Sequence, residues 1–227
     1  MEGKLDALVE AINDRHSVRS YLSMPIEPEK VEKLRALIDK YNEEGDLGLA
    51  FCENAGKTFS LLFNKVSGLG SAPSVIVCKG KDGPNLEEKI GYYGQKIVLY
   101  AQTIGLNTCW VGTFNKKDLP AMIKSGERVV IAIAIGYGST PGKPHKSKSM
   151  EQILISSEQT PSWFDFGVDM ALLAPTALNQ QKFKIGINSE GEVVFQDQGG
   201  PYSKVDLGIV RCNFEIGAEY KKSQQGG

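Results

Sequence analysis

Val129-Val130-Ile131-Ala132-Ile133-Ala134-Ile135 runs directly into Gly136-Tyr137-Gly138-Ser139-Thr140-Pro141-Gly142-Lys143-Pro144. The first seven residues form the longest apolar run of the chain, far too short to span a bilayer, and their β-branched content predicts a buried strand. The Gly/Pro-rich segment behind it predicts a loop. Upstream, Ile90, Ile97, Val98, Ala101 and Ile104 share one face of a helix from about Glu87 to Ile104, with Gly105 as its C-terminal cap. Ser74 to Cys78, bounded by Gly70/Pro73 and Gly80, and Leu47 to Cys52 predict two more strands. Val31, Leu34, Leu37, Ile38 and Tyr41 predict a helix ending at Gly45, after a break at Met24-Pro25-Ile26-Glu27-Pro28. Leu5, Leu8, Val9 and Ile12 predict another at the N-terminus.

The same alternation continues downstream. A helix over Phe164 to Leu173 leads through a turn at Ala174-Pro175 to a strand over Phe183 to Ile187. A hairpin turn at Asn188 to Gly191 and a strand over Val193 to Gln196 follow, then a last helix over Val205 to Tyr220 and a frayed polar tail from Ser223 to Gly227. The default class is therefore an α+β or α/β sandwich.

With 26 basic against 27 acidic residues, the chain has no global field to draw it to nucleic acid or an anionic membrane. Glu2, Lys4 and Asp6 leave no hydrophobic signal segment at the N-terminus. Cys52, Cys78, Cys109 and Cys212 are widely separated and only His16 and His145 could join them, which argues against zinc and for a reduced cytoplasmic chain. There is no G-x-G-x-x-G after a strand, no H-E-x-x-H and no hydrolase elbow. The Gly138 to Lys143 loop has three rather than four residues between Gly138 and Gly142, and Pro144 stands where a P-loop needs Ser or Thr. A protein with so little acid/base hardware borrows its chemistry or performs none.

Four segments carry binding chemistry. Arg15-His16-Ser17-Val18-Arg19 supplies two guanidinium forks, an imidazole and a hydroxyl suited to phosphate oxygens. Lys146-Ser147-Lys148 places two ammoniums where they could close on the same phosphate. In Gly105 to Phe114, Trp110 and Val111 flank Gly112, whose lack of a side chain lets a flat ligand approach a backbone N–H. Ala174 to Phe183 gathers the hydroxyl and amide groups of Thr176, Asn179 and Gln181, suited to a polyol chain or the polar edge of a heterocycle. Each also has an ordinary reading: a solvated surface cluster, a solvated loop, a helix-to-strand turn and an N-cap turn. Taken together they describe a ligand with a phosphate, a polyol linker and a flat aromatic ring, which is flavin mononucleotide (FMN).

These residues resemble the FMN-dependent nitroreductase family. Its R-[RH]-S-x-[RK] grip is matched by Arg15, His16, Ser17 and Arg19, and its G-L-x-T-x-x-x-G-F segment by Gly105, Leu106, Thr108 and Gly112, with Thr113 interposed before Phe114. Its I-G-Y-G followed by a basic triplet is matched by Ile135 to Gly138 and Lys146 to Lys148. Its A-P-S-x-x-N-x-Q-P-W element is matched by Ala174, Pro175, Thr176, Asn179 and Gln181, with Lys182 and Phe183 in place of Pro-Trp.

The resemblance implies an α+β, nitroreductase-like three-layer sandwich with a mainly antiparallel central sheet. It also implies a ping-pong flavin oxidoreductase that uses NAD(P)H to reduce nitroaromatics, quinones or similar flat acceptors. Arg15, Lys146 and Lys148 would then neutralise the phosphate, with His16 and Ser17 beside them, and Arg19 would stand near the N1/O2 edge of the ring. Trp110, Val111 and Gly112 would lie along the ring, while Thr176, Asn179 and Gln181 hold phosphate or ribityl oxygens. The last element ordinarily follows the N-terminal grip and reaches the flavin from the neighbouring subunit, whereas here it follows the basic closing segment. This displacement suggests two abbreviated subunits in tandem, residues 1–158 and 159–227, acting as a monomeric pseudo-dimer or pairing again as a homodimer. The alternative within the same fold is a non-catalytic FMN-binding or sensing protein.

Overall fold

The computed structural model describes residues 2–55, 58–59, 69, 72–156 and 159–225; Gly70, residue 158 and Gly226–Gly227, which the sequence reading used, lie outside them. The apolar run becomes β4, Glu127–Gly136, an interior strand. It pairs antiparallel on one side with β2 (Ser74–Lys81) and on the other with β3 (Asn107–Val111), while β1 (Ala50–Cys52) completes the order β1-β2-β4-β3.

The alternation of isoleucine and alanine along β4 separates two cores, because successive side chains of a strand point to opposite faces. Ile131, Ile133 and Ile135 join Ile76 and Cys78 against Leu34 and Ile38 of α2 (Pro28–Gly45) and Ile90 and Ile97 of α3 (Leu86–Thr103). Ala132 and Ala134 join Val75, Val77, Cys109 and Val111 in a second cluster with Val18 and Tyr21. Burying each large aliphatic side chain contributes about 1.5–3 kcal/mol, so the register of β4 is strongly specified.

A third cluster joins Val9 and Ile12 of α1 (Glu2–Asp14) to Leu99, to Met170 of α5 (Ser162–Leu172), and to Cys212 and Ile216 of α6 (Ser203–Gln225). The short helix α4 (Met150–Ile153) precedes α5. The strands β5 (Phe183–Ile187) and β6 (Val193–Asp197) form a separate antiparallel hairpin, which packs through Phe195 against Phe214 of α6 at a ring separation of 5.4 Å.

The fold is α+β with an antiparallel sheet, as expected, and the differences are local. The expected Leu47 to Cys52 strand begins only at Ala50, because the Asn42 side chain engages both backbone groups of Leu49 (2.7 and 2.9 Å) in place of a ladder partner. The tail is not frayed from Ser223: α6 continues to Gln225, whose amide donates to the Ser162 hydroxyl. The sequence predicts no separate strand for β3, since its five residues show no clean alternation of apolar and polar side chains.

α3 and α6 cross backbone to backbone. A Cβ on Gly91 would overlap the Val205 carbonyl oxygen, and one on Gly208 would overlap the Glu88 carbonyl oxygen. Beside the crossing, the buried Gln95 amide donates to Asn213 (3.0 Å) and Asn213 donates to the Met170 carbonyl (3.2 Å), so these polar groups are satisfied. Alanine in a helix interior ordinarily gains about 0.8–1.0 kcal/mol over glycine. Here overpacking, costing about 1–3 kcal/mol, should outweigh that gain. We therefore expect Gly208→Ala to lower the thermal midpoint, by about 2–4 °C for each net kcal/mol lost. A midpoint at or above that of wild type would contradict the close crossing.

Candidate functional site

α1 ends at Asp14, and the chain then straightens alongside β3. Ser17 bridges Thr108 in parallel fashion, the Val18 N–H donates to the Thr108 carbonyl (3.1 Å), and the Val18 side chain is fully buried in the second core. This pairing sets Arg15 and Arg19 beside Cys109. The Arg15 side chain is sunk in the protein, the residue being only 4% exposed. Its Nε is buried without a hydrogen-bond partner, and Arg15 forms no ion pair among the described residues. Burial lowers its pKa to about 10, which leaves it a cation at neutral pH. Burial also raises the Cys109 thiol, an effect opposed by the positive charges of Arg19 and Arg15.

The end of β3 with the residues just after it, and the start of α6, supply a second wall. The Trp110 indole donates to Gln95 (3.3 Å) with its ring against Gly94, while the Tyr202 hydroxyl donates to the Gly112 carbonyl (2.6 Å). In the loop after β4, His145 Nε2 lies 3.0 Å from the Leu172 carbonyl oxygen, which accepts a hydrogen bond from it.

The third wall is the 3₁₀ turn Ala177–Asn179. The Ala177 N–H donates to both carboxylate oxygens of Asp206 (3.0 Å each), and Gln180 Nε2 donates to one of them (3.2 Å). Asn179 and Gln181 both donate side-chain N–H groups to the Lys146 carbonyl (2.9 and 3.0 Å). Lys148 donates its backbone N–H to the Gln181 side chain (2.8 Å) and its ammonium to the Gln181 carbonyl (2.7 Å).

A cavity of about 680 Å³ lies between these walls, within the range of about 300–1,000 Å³ common for small-molecule sites. Of the residues singled out from the sequence, Arg15, His16, Ser17, Arg19, Trp110, Val111, Gly112, Thr176 and Asn179 line it together. Lys146, Lys148 and Gln181 are not among its lining residues; their contacts brace the turn from behind. Lys143, His145, Leu178, Tyr202 and Asp206 also line it and were missed. An acidic residue in the first turn of a predicted helix marked Asp206, and the Gly199-Gly200-Pro201 turn marked Tyr202, but neither signal reveals that the residue faces this cavity.

The positive lining, one buried carboxylic acid and flat walls suit a planar ligand with an anionic group. The family model described as "Putative TM nitroreductase" matches residues 7–218. No curated protein matches the chain. Among solved structures it is similar to a "putative nitroreductase" of Thermotoga maritima, with 26% identity over 92% of this chain and 82% of the other and a TM-score of 0.68. It is also similar to a nitroreductase family protein of Clostridium difficile 630 (23% identity, 67% of this chain and 98% of the other, TM-score 0.49). A further similarity is to an FMN-dependent nitroreductase of Clostridium difficile R20291 (19% identity, 57% and 87%, TM-score 0.45). The family match runs from α1 into α6, and the chain belongs to this nitroreductase family.

Proposed function

We propose that this protein is an FMN-dependent oxidoreductase that takes electrons from NAD(P)H and passes them to nitroaromatic, quinone or similar flat acceptors. Arg15 carries this reading: a buried guanidinium with an unsatisfied N–H is costly unless an anionic ligand completes it. The lining fits FMN, with Arg15, His16 and Ser17 at the phosphate and Arg19 adding positive charge near the ring. Trp110, Val111 and Gly112 would flank the ring, and Thr176 and Asn179 the polyol chain. Lys146, Lys148 and Gln181 would act by holding the Thr176 to Asn179 turn. When bound, FMN supplies the electron-transfer chemistry, so no side-chain nucleophile is needed.

The pseudo-dimer belongs to the same reading. Residues 1–158 contribute the cationic wall and residues 159–227 the polar turn, and the glycine-to-glycine crossing of α3 and α6 supports their treatment as counterparts. The free cysteines fit a cytoplasmic setting, and no helix among the described residues is long and apolar enough to cross a membrane. A second reading, a non-catalytic FMN-binding or sensing protein, is favoured by one observation: the Tyr202 ring is seated against Gly112, where a flat ring would approach the backbone. NADPH consumption with a quinone separates the two, since a pure binder accelerates it no more than free FMN does.

Purified protein should be yellow, and Arg15→Ala should weaken FMN retention at least about tenfold, because a charge-assisted hydrogen bond contributes about 1.5–3 kcal/mol. Equal flavin content in the two proteins would count against the assignment. Arg19→Ala should lower the bound flavin's reduction potential, and an unchanged potential would remove Arg19 from the ring.

Burial raises the Asp206 carboxyl from 3.8 to about 6, despite the hydrogen bonds from Gln180 and Ala177. The folded chain therefore holds this proton more tightly than the unfolded chain, and the associated stability, on the order of 2–3 kcal/mol, is present below about pH 4 and lost as pH rises through 6. Asp206→Asn cannot ionise, so its unfolding free energy relative to wild type should increase between pH 4 and 7. A constant difference, measured by denaturant unfolding across that window, would refute the shift.

A further inference from the structure

Five non-glycine residues among those described have left-handed backbone: Asp46, Leu178, Asn179, Gln181 and Tyr202. Asp46 caps α2, where that conformation is common. The other four fall in two short segments beside one cavity: Leu178, Asn179 and Tyr202 line it, and Gln181 braces the turn. Strained backbone of this kind persists only where its surroundings enforce it, and it concentrates at ligand sites.

Leu178 is the least expected of the four. It adopts φ 53°, a conformation that leucine disfavours, and its side chain is 91% exposed at the cavity edge. An exposed leucine alone means little. This one is held out by a dedicated set of bonds: Asp206 and Gln180 tie the start of the turn to α6, Asn179 and Gln181 tie its end to Lys146, and the Gln181 N–H donates to Thr176 Oγ1 (3.1 Å). Gln180 also donates to the Pro201 carbonyl (3.0 Å), which links the turn to the segment that ends in Tyr202. Among the described residues no hydrogen bond or core cluster repays either the strain or the exposure of Leu178.

We propose that Leu178 is a specificity-determining residue: its side chain covers the outer face of a planar aromatic second ligand, burying itself as that ligand enters the cavity. Arg19 and Lys143, exposed on the same lining and without ion pairs among the described residues, favour such a ligand when it carries an anionic or electron-rich oxygen substituent. A flat acceptor satisfies both requirements, and only this identification of the ligand as an acceptor rests on the flavin reading above.

The test titrates 2-naphthoate, a redox-inert planar anion, into FMN-treated wild type, Leu178→Gly and Leu178→Asn by calorimetry. Glycine and asparagine both tolerate left-handed backbone, so each variant relieves the strain while removing the apolar cover. Both should bind naphthoate at least about fivefold more weakly than wild type, with FMN content unchanged and a ligand-free thermal midpoint equal to or above that of wild type. Equal naphthoate affinity in all three proteins, or no binding by wild type at millimolar concentration, would overturn the proposal. So would a midpoint several degrees lower in both variants, which would mean that Leu178 is already stabilising the free chain. A wild-type dimer that dissociates in both variants would also overturn it, by showing that a second copy covers Leu178. Should wild type take up no FMN, the flavin reading fails while the naphthoate comparison still decides the role of Leu178.

Discussion

The close crossing of α3 and α6 is the constraint on which the site depends. Gly91 and Gly208 let the two backbones touch, and any side chain at either position would force them apart. Helix axes pack about 8–10 Å apart when side chains intervene, so this contact draws the N-terminal turn of α6 unusually close to α3. Asp206 and Ile209 reach the cavity from that turn, and Tyr202 reaches it from the residue just before the helix. Asp206 in turn fixes the 177–180 segment. The crossing thereby transmits its geometry to residues more than a hundred positions away from the arginine they face.

The opposite wall is built by different means. The Arg15 to Arg19 segment is neither helix nor sheet strand, yet its pairing with Thr108 and the burial of Val18 hold it in place. This arrangement keeps the Arg15 guanidinium charged in a site where burial opposes the charge. One cavity thus brings together a buried cation with an unpartnered Nε, a carboxyl with a raised pKa, and left-handed non-glycine residues. The buried Gln95 and Asn213 amides are engaged by protein partners, and Arg211, the other described arginine with a buried unpartnered Nε, is paired with Glu88, whereas Arg15 has no ion pair among the described residues.

Most of the architecture was legible in the chain because burial imposes periodicity. β4 carries isoleucine for one core and alanine for the other, α2 and α3 repeat apolar residues at helical spacing, and the β5–β6 hairpin turns at Asn188 to Gly191. β3 was not legible as a strand: Thr108 and Cys109 are both buried, while Asn107 and Trp110 are only partly so. The N-terminal limit of β1 depended on one Asn42 side chain, a choice that no propensity records.

For the site, residue chemistry alone determined which groups could grip an anion, span a polyol or admit a flat ring, because donor geometry and charge belong to the side chain itself. Tertiary structure decided which of them face one space. It buried Arg15 without a partner and turned Lys148 and Gln181 onto each other. It also brought in Leu178, Tyr202 and Asp206, whose importance rests on backbone conformation and burial. The physical reason is that a side chain's type is a local property, whereas its exposure, partners and strain arise only when distant segments compete for the same volume.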